Sequence, residues 1–209
     1  MELYGGCAVH IPDGFLSPLV ALSFYIISLL VVAYSGRRYF NEGGDIYYLS
    51  VMAAGIFAAQ MLNWPIPGGT SAHLVGGALA GILLGPFGGC LAMFMNLLVQ
   101  CILMGDGGIT ALGANAFNMA VVDVFLGYLI YRMVMRISGG KKFVAGFLAG
   151  WLAIAAAAVV CGVEIGLSPQ FGYPLSVTVP VMGTWHLLLG LVEGVATGFI
   201  VSRVEVIGK

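Results

Sequence analysis

The segment FVAGFLAGWLAIAAAAVVCGV, Phe143–Val163, holds 21 consecutive residues without a charge. A helix that crosses a hydrocarbon layer of ~30 Å needs about 20 apolar residues, so this stretch alone predicts a transmembrane helix. Six further apolar segments accompany it, and the seven together are Ser17–Tyr34, Ile46–Leu62, Ala72–Leu84, Phe87–Met104, Leu112–Val134, Phe143–Val163 and Val177–Val201. The sequence therefore predicts an all-α integral membrane protein with seven transmembrane helices.

Composition supports this class and excludes several others. Hydrophobic residues make up 60% of the 209 residues and charged residues 8%, against roughly 25% charged residues in a soluble domain. The mean hydropathy is +1.03. A net charge of -1 gives no field that would attract a polyanion, so nucleic acid is not an expected partner. The phosphate-loop pattern G-x-x-x-x-G-K-[ST] is absent, so any ATP that drives the protein is hydrolysed by another subunit.

The basic residues predict the orientation in the membrane. With seven spans, all eight Lys and Arg residues fall on one side, whereas six spans with a re-entrant third segment would divide them. Because basic residues favour the cytoplasmic side, we expect the C-terminus in the cytoplasm and the N-terminus outside. The short third segment is expected to start within the protein rather than against lipid. The outer face then gathers residues 1–16 and the loops at 63–71, 105–111 and 164–176.

Few polar groups lie in or beside the spans, and such groups tend to be functional because a bilayer makes them costly. His10 precedes the first span and His73 opens the third. Imidazole binds Ni, Cu, Co and Zn, but a loop cap and a hydrogen-bonded helix mouth are equally open interpretations of two lone histidines. His186 and Glu193 share one face of the last span, where they could pair with each other. Further polar residues in the spans are Gln100, Asn115, Asn118 and Asp123.

Small residues form ridges along three of the segments. Glycines recur every four residues, which lets helix backbones approach closely. Packing inside the bundle and docking of another membrane subunit are both open interpretations. The ridges are Gly77, Gly81 and Gly85; Gly146 and Gly150; and Gly190, Gly194 and Gly198.

Four ordered motifs carry a family resemblance, and the match runs from residue 9 to about 203. They are HIPDGFL (His10–Leu16), GTSAHL with GILLGP (Gly69–Leu74 and Gly81–Pro86), GGITALGANAFNMA (Gly107–Ala120) and HLLLGLVEG (His186–Gly194). The set resembles the substrate-binding membrane subunits of cobalt/nickel energy-coupling-factor transporters, the CbiM/NikM type. The resemblance implies a substrate-specificity subunit of an ATP-driven uptake transporter in the cell inner (plasma) membrane, with Co²⁺ or Ni²⁺ as the transported ion. It leaves the choice between cobalt and nickel open.

The family's metal site implies which residues bind the ion here. Its four nitrogens come from the free N-terminal amine, the amide and the ring of the following histidine, and a histidine of the second motif. On this chain they would be the amine of Val9, the amide and ring of His10, and the ring of His73. Planar nitrogen donors favour Ni(II), Cu(II) and low-spin Co(II) over Zn, Mg or Ca. Asn115 and Asn118 are expected to brace the N-terminal segment as outer partners of these ligands.

The chain departs from the family pattern at its start, where eight residues precede Val9 and a valine replaces the family's methionine. The codon GTG encodes valine but is read as methionine when it starts a bacterial gene. We therefore predict that residues 1–8 are a start-site extension and that residues 9–209 form a single seven-helix membrane domain.

The resemblance also implies partners: a transmembrane coupling subunit, paired cytoplasmic ATPases and a small accessory membrane subunit, which is expected to be separate here. Two other functions remain open, a vitamin-binding subunit of the same transporter class and a stand-alone ion-coupled carrier. An enzyme is not expected. The pattern H-E-x-x-H is absent, and G-T-S-A is a poor substitute for a nucleophile turn.

Overall fold

The computed structural model describes residues 10–62, 64–66 and 70–204. The described chain is helical apart from one short antiparallel hairpin, in which Trp64 pairs with Ala72. The predicted all-α class thus gains a small hairpin in what the sequence indicated to be a polar loop. The elements are α1 Pro18–Asn41, α2 Ile46–Gln60, β1 Trp64–Ile66, β2 Thr70–Ala72, α3 Gly77–Val99, α4 Leu112–Ala116, α5 Val124–Ile137, α6 Lys142–Gly166 and α7 Leu175–Arg203. The domain boundary predicted after residue 8 lies outside the described residues.

Helix α3 contains a sharp break that the sequence marks with Gly85-Pro86. Gly85 has a φ of 76° and a ψ of 166°, which is outside the helical region. A Cβ atom built on Gly89 would lie 2.6 Å from the backbone nitrogen of Gly81. Residues eight apart in a straight helix are about 12 Å apart, so the chain must fold back at the break. The predicted third and fourth segments are therefore the two arms of α3, the first of which starts at Gly77 rather than at Ala72 and is almost wholly buried.

The predicted fifth segment is one helical run with a widened centre. Helix α4 passes into a π-helix, Phe117–Asp123, which continues as α5. A second π-helix, Gln100–Met104, ends the second arm of α3. Short π-helical insertions occur frequently at functional sites. Here the two π-helices contain the buried polar residues Gln100, Asn118 and Asp123.

The glycine ridges pack inside the bundle. A Cβ on Gly146, Gly194 or Gly198 would lie within 3 Å of the backbone of the opposing helix, since α6 and α7 are in close contact. A Cβ on Gly81 would lie 2.7 Å from the carbonyl oxygen of Val124. These small residues therefore allow close approach of the helices within this chain, as the packing interpretation of the ridges requires.

The described residues have a largely apolar surface, as membrane proteins do. Four helices are long and apolar enough to cross a membrane: Pro18–Asn41, the stretch Gly77–Met104 that contains the break, Lys142–Gly166 and Leu175–Arg203. Large apolar side chains such as Leu19 and Leu30 are exposed on α1, whereas Gln100, Asp123 and Glu164 are buried. An exposed apolar surface of this extent is a liability in water but suits hydrocarbon, so the protein is a membrane protein.

Candidate metal centre

The two histidines that the sequence singled out lie side by side. His10 belongs to the segment before α1, and His73 lies between β2 and α3. Their ring centroids are 5.4 Å apart with an angle of 43° between the ring planes. The two residues are 5% and 8% exposed, respectively. The fold therefore brings together, in a buried place, two imidazoles that are 63 positions apart in the chain.

Helix α4 and the loop before it hold the His10 segment in place through the backbone of Ile11. The amide nitrogen of Ile11 donates to Oδ1 of Asn115 at 2.9 Å, and Nδ2 of Asn115 donates to the Ile11 carbonyl at 3.1 Å. The backbone nitrogen of Gly108 donates to the same carbonyl at 2.9 Å. Asn115 thus braces the N-terminal segment, and it fixes the residue next to His10.

A second attachment of the same segment lies at Asp13. Its carboxylate accepts hydrogen bonds from the backbone nitrogen and the hydroxyl of Thr110. The hydroxyl bond is the main reason that the pKa of Asp13 is lowered. A Cβ on Gly108 would lie 2.3 Å from the Asp13 nitrogen, and one on Gly107 would lie 2.9 Å from Cβ of His10. The glycines of the third motif are therefore needed because the two segments pass each other without room for side chains.

The ring of His73 is oriented by its own backbone. Its Nδ1 is 2.6 Å from the carbonyl oxygen of Leu74, to which it can donate only if that nitrogen carries the proton. The other ring nitrogen, Nε2, then keeps a lone pair for a metal ion. Burial, followed by the nearby His10, lowers the pKa of His73 to about 4. The imidazole is therefore neutral near pH 7, which is the form that binds metals.

The ring of His10 is buried without a hydrogen bond from either nitrogen within the described part of the chain. Oδ1 of Asp106 lies 3.3 Å from Nδ1 of His10. A buried polar group without a hydrogen bond is costly, and a missing ion is one accepted reason for it. The environment of His10 therefore fits a metal ligand better than the loop-cap interpretation.

Glu193 acts on the residues that follow His73. Its two carboxylate oxygens accept hydrogen bonds from the backbone nitrogens of Val75, at 2.9 Å, and Gly76, at 2.7 Å. The carboxylate of Glu193 thus bonds to this backbone rather than to His186, a pairing that the sequence left open, and Nδ1 of His186 lies 2.9 Å from the Met182 carbonyl. Glu193 reaches the His73 segment because α7 packs beside the start of α3, which no local pattern shows.

Within the described residues, the side-chain hydrogen bond of Asn118 is not with the N-terminal segment. Its Nδ2 donates to the carboxylate of Glu164 at 2.7 Å inside the bundle. Asn118 thus links two helices inside the bundle, whereas Asn115 is the predicted asparagine that bonds to the N-terminal segment. Val9 lies outside the described residues, so the amine predicted as a ligand cannot be placed.

Sequence reasoning missed several residues around the two histidines. Asp106, Gln60, Asn96 and Glu164 were not singled out, although polar residues in apolar segments and an aspartate between glycines were visible signals. Within the described residues, no group of three or more His, Cys, Asp or Glu side chains could hold a metal ion.

Known proteins resemble this chain along almost its whole length. The putative fused nickel transport protein NikMN of Archaeoglobus fulgidus is 57% identical over 196 residues, 94% of this chain, but the match spans only 65% of that longer relative. The cobalt transport protein CbiM of Salmonella typhimurium is 34% identical over 94% of this chain and 83% of its own length.

A crystal structure described as a truncated transition metal transporter shares the fold. It superimposes with a TM-score of 0.86 at 36% identity, and the match covers 93% of this chain and 97% of the other. The model of the CbiM family, described as the cobalt uptake substrate-specific transmembrane region, matches residues 10–208. This chain therefore belongs to the CbiM family of cobalt uptake transmembrane proteins.

Proposed function

We propose that the protein is the substrate-specificity subunit of an ATP-driven uptake transporter for Co²⁺ or Ni²⁺, which takes the ion from outside the cell. The observation that carries the proposal is the pair of buried imidazoles. The ring of His10 makes no hydrogen bond among the described residues, and its segment is held by hydrogen bonds to Asn115. The relatives named for nickel and cobalt transport support both ions. The subunit itself is not an enzyme.

The proposed donor set consists of four nitrogens: the amine of residue 9, the amide and ring of His10, and the ring of His73. Amine, amide and imidazole of two consecutive residues form fused chelate rings, and a strongly binding divalent ion can displace the amide proton. A planar set of nitrogens suits Ni(II) and low-spin Co(II) and disfavours Zn(II), which prefers a tetrahedron. The proposal requires a free amine at residue 9, so residues 1–8 must be absent from the mature protein.

We also propose seven membrane crossings, with the two arms of α3 counted separately and the run from α4 to α5 counted once. The termini then lie on opposite sides of the cell inner (plasma) membrane, and the Lys and Arg residues lie on its cytoplasmic side. The partners proposed are a transmembrane coupling subunit, paired cytoplasmic ATPases and a small accessory membrane subunit. ATP hydrolysis by these partners would reorient the subunit and release the ion inward.

Metal titration of two variants tests the site. A chain that begins at residue 9, with Val9→Met, is expected to bind Ni²⁺ tightly in detergent, and His10→Ala or His73→Ala should each abolish this binding without loss of the fold. His186→Ala is the matched control, because it removes a third histidine that is not in the donor set. Parent-like binding by both His10→Ala and His73→Ala would refute the assignment.

The competing functions give different results in the same preparation. A vitamin-binding subunit would carry an organic ligand rather than metal when purified from its host. A stand-alone carrier would move ions into vesicles without ATPase partners. Metal analysis, mass spectrometry of bound small molecules and uptake with and without the partners separate the three.

A further inference from the structure

Three carboxamide side chains meet in the bundle below the two histidines. Gln60 ends α2, Asn96 lies in the second arm of α3, and Gln100 begins the π-helix that follows. All three are at most 2% exposed. Nδ2 of Asn96 and Nε2 of Gln100, the latter at 2.7 Å, both donate to Oε1 of Gln60. Because buried amides are costly unless they are hydrogen-bonded, this arrangement constrains all three side chains.

One end of the Gln60 amide leads to His73. Its Nε2 donates to the carbonyl oxygen of Val75 at 2.6 Å, two residues after His73. The amide nitrogen of Val75 donates to Glu193, so both peptide groups of this residue are held by side chains of other helices. Gly76 follows with a φ of 79°, which lets the chain turn into α3. The segment His73–Gly76 is therefore fixed jointly by Gln60 of α2 and Glu193 of α7.

The other end of the same amide leads to His10. The side chain of Gln100 donates to Gln60. The backbone carbonyl oxygen of Gln100 accepts a hydrogen bond from the backbone nitrogen of Asp106 at 3.1 Å. The carboxylate of Asp106 in turn lies 3.3 Å from Nδ1 of His10. The π-helix makes this contact possible, because its wider turn ends in the loop that carries Asp106.

We infer that Gln60 is a positioning residue that sets the two histidines of the metal site relative to each other, an inference that rests on the proposed function. The paths to His73 and to His10 both end on the one carboxamide of Gln60. A planar site tolerates little displacement of its nitrogens. Mutation of residues that orient metal ligands typically lowers metal affinity by about 10–100-fold. Among the described residues, the hydrogen bonds of Gln60 go to Val75, Asn96 and Gln100 rather than to the histidines, so its effect is on the geometry of the site.

The test uses Ni²⁺ as the probe and the chain that begins at residue 9 as the parent. Gln60→Met has nearly the same length but neither donates nor accepts these hydrogen bonds. We expect its Ni²⁺ affinity to fall by ~10-fold or more and the visible absorption band of planar nickel to shift or weaken. Asn96→Leu removes one of the two amides that orient Gln60 and leaves the bond to Val75, so a smaller change in the same direction is expected.

Thr178→Val is the control, since the Thr178 hydroxyl donates a buried hydrogen bond to the Gly162 carbonyl between α6 and α7. It should leave both affinity and absorption band unchanged. An equal effect of Thr178→Val would show that Gln60 acts only through general stability and would overturn the inference. A parent that fails to bind Ni²⁺ would instead refute the proposed function.

Unchanged affinity and band in Gln60→Met would also overturn the inference. If Gln60→Met does not fold, the Ni²⁺ affinity and absorption band of Asn96→Leu provide the test, and parent-like values would overturn the inference.

Discussion

At the residue scale, the site depends on side chains that hold backbone rather than on side chains that face an ion. Asn115 satisfies both the amide and the carbonyl group of Ile11, and Glu193 satisfies two amides after His73. Each of these side chains lies more than 100 positions from the backbone it binds. The two histidines are thus positioned by long-range contacts to their neighbours in the chain.

Replacement of Asn115 should weaken metal binding without removing a ligand. Asn115→Leu loses both bonds to Ile11, so we expect Ni²⁺ affinity to fall by ~10–100-fold. Asn115→Asp keeps the acceptor for the Ile11 amide and loses only the donor to its carbonyl, so its loss should be smaller. Isothermal titration calorimetry with Ni²⁺ measures the affinity of both variants. A larger loss of affinity in Asn115→Asp than in Asn115→Leu would contradict the prediction.

The attachment at Asp13 should weaken in acid. The Thr110 hydroxyl lowers the pKa of this carboxyl below its unfolded value of about 4. Its contribution to stability is therefore complete above pH ~4 and is lost as the pH falls through the lower pKa of the folded state. Thermal melts of the parent and of Asp13→Asn should differ at pH 6 and converge in strong acid. A constant difference at every pH would contradict this role.

At the element scale, the break in α3 converts one apolar stretch into two arms that pack against each other. The contact depends on Gly89, because a Cβ there would lie 2.6–2.8 Å from backbone atoms of Ala80 and Gly81. Backbone atoms of a buried helix cannot move aside as the end of a flexible side chain can. The first arm carries the turn after His73, so the packing of the two arms also fixes one side of the site.

Gly89→Ala should therefore destabilise the protein, at a cost typical of overpacking, about 1–3 kcal/mol. Gly55→Ala is the matched control in α2, where a Cβ would meet no atom within 4 Å. Thermal melts in detergent should show a lower melting temperature for Gly89→Ala and an unchanged or slightly higher one for Gly55→Ala, since alanine favours helix. Equal melting temperatures for the two variants would mean that the arms do not pack as described.

At the scale of the whole molecule, polar groups lie inside and apolar groups outside. Gln60, Gln100, Asp123 and Glu164 are buried, while the outer face of α1 is apolar. Hydrocarbon offers no hydrogen bonds, so polar groups in such a chain favour partners inside the bundle. Gln100 bonds to Gln60 and Glu164 to Asn118 in this way. The buried polar groups thus connect helices that apolar packing alone would not align.

The proposed orientation predicts which loops react from which side of the membrane. In a background with the native cysteines replaced, Gly139→Cys and Gly43→Cys should react with a membrane-impermeant thiol reagent only after the cytoplasmic side is exposed. Gly172→Cys should react in intact cells. All three positions leave room for a side chain, although each has a positive φ. Labelling of Gly139→Cys in intact cells would refute the seven-crossing arrangement.

The sequence by itself determined the class of the protein, its apolar segments and the two histidines of the candidate site. These features are local, because hydropathy and short motifs can be read without knowledge of contacts. Only the tertiary structure decided the reversal at Gly85, the hydrogen bonds from Glu193 to Val75 and Gly76, and the place of Asp106 beside His10.

The physical reason lies in the length of the chain between the partners. Glu193 and Gly76 are 117 positions apart, and Gln60 and Gln100 are 40 apart. A local pattern shows that a residue is polar and lies in a helix. Its hydrogen-bond partner depends on which helices pack together and on which face of each helix is in the contact. In this protein that packing, set by close contacts of small residues, determines how the histidines that the sequence already identified are held.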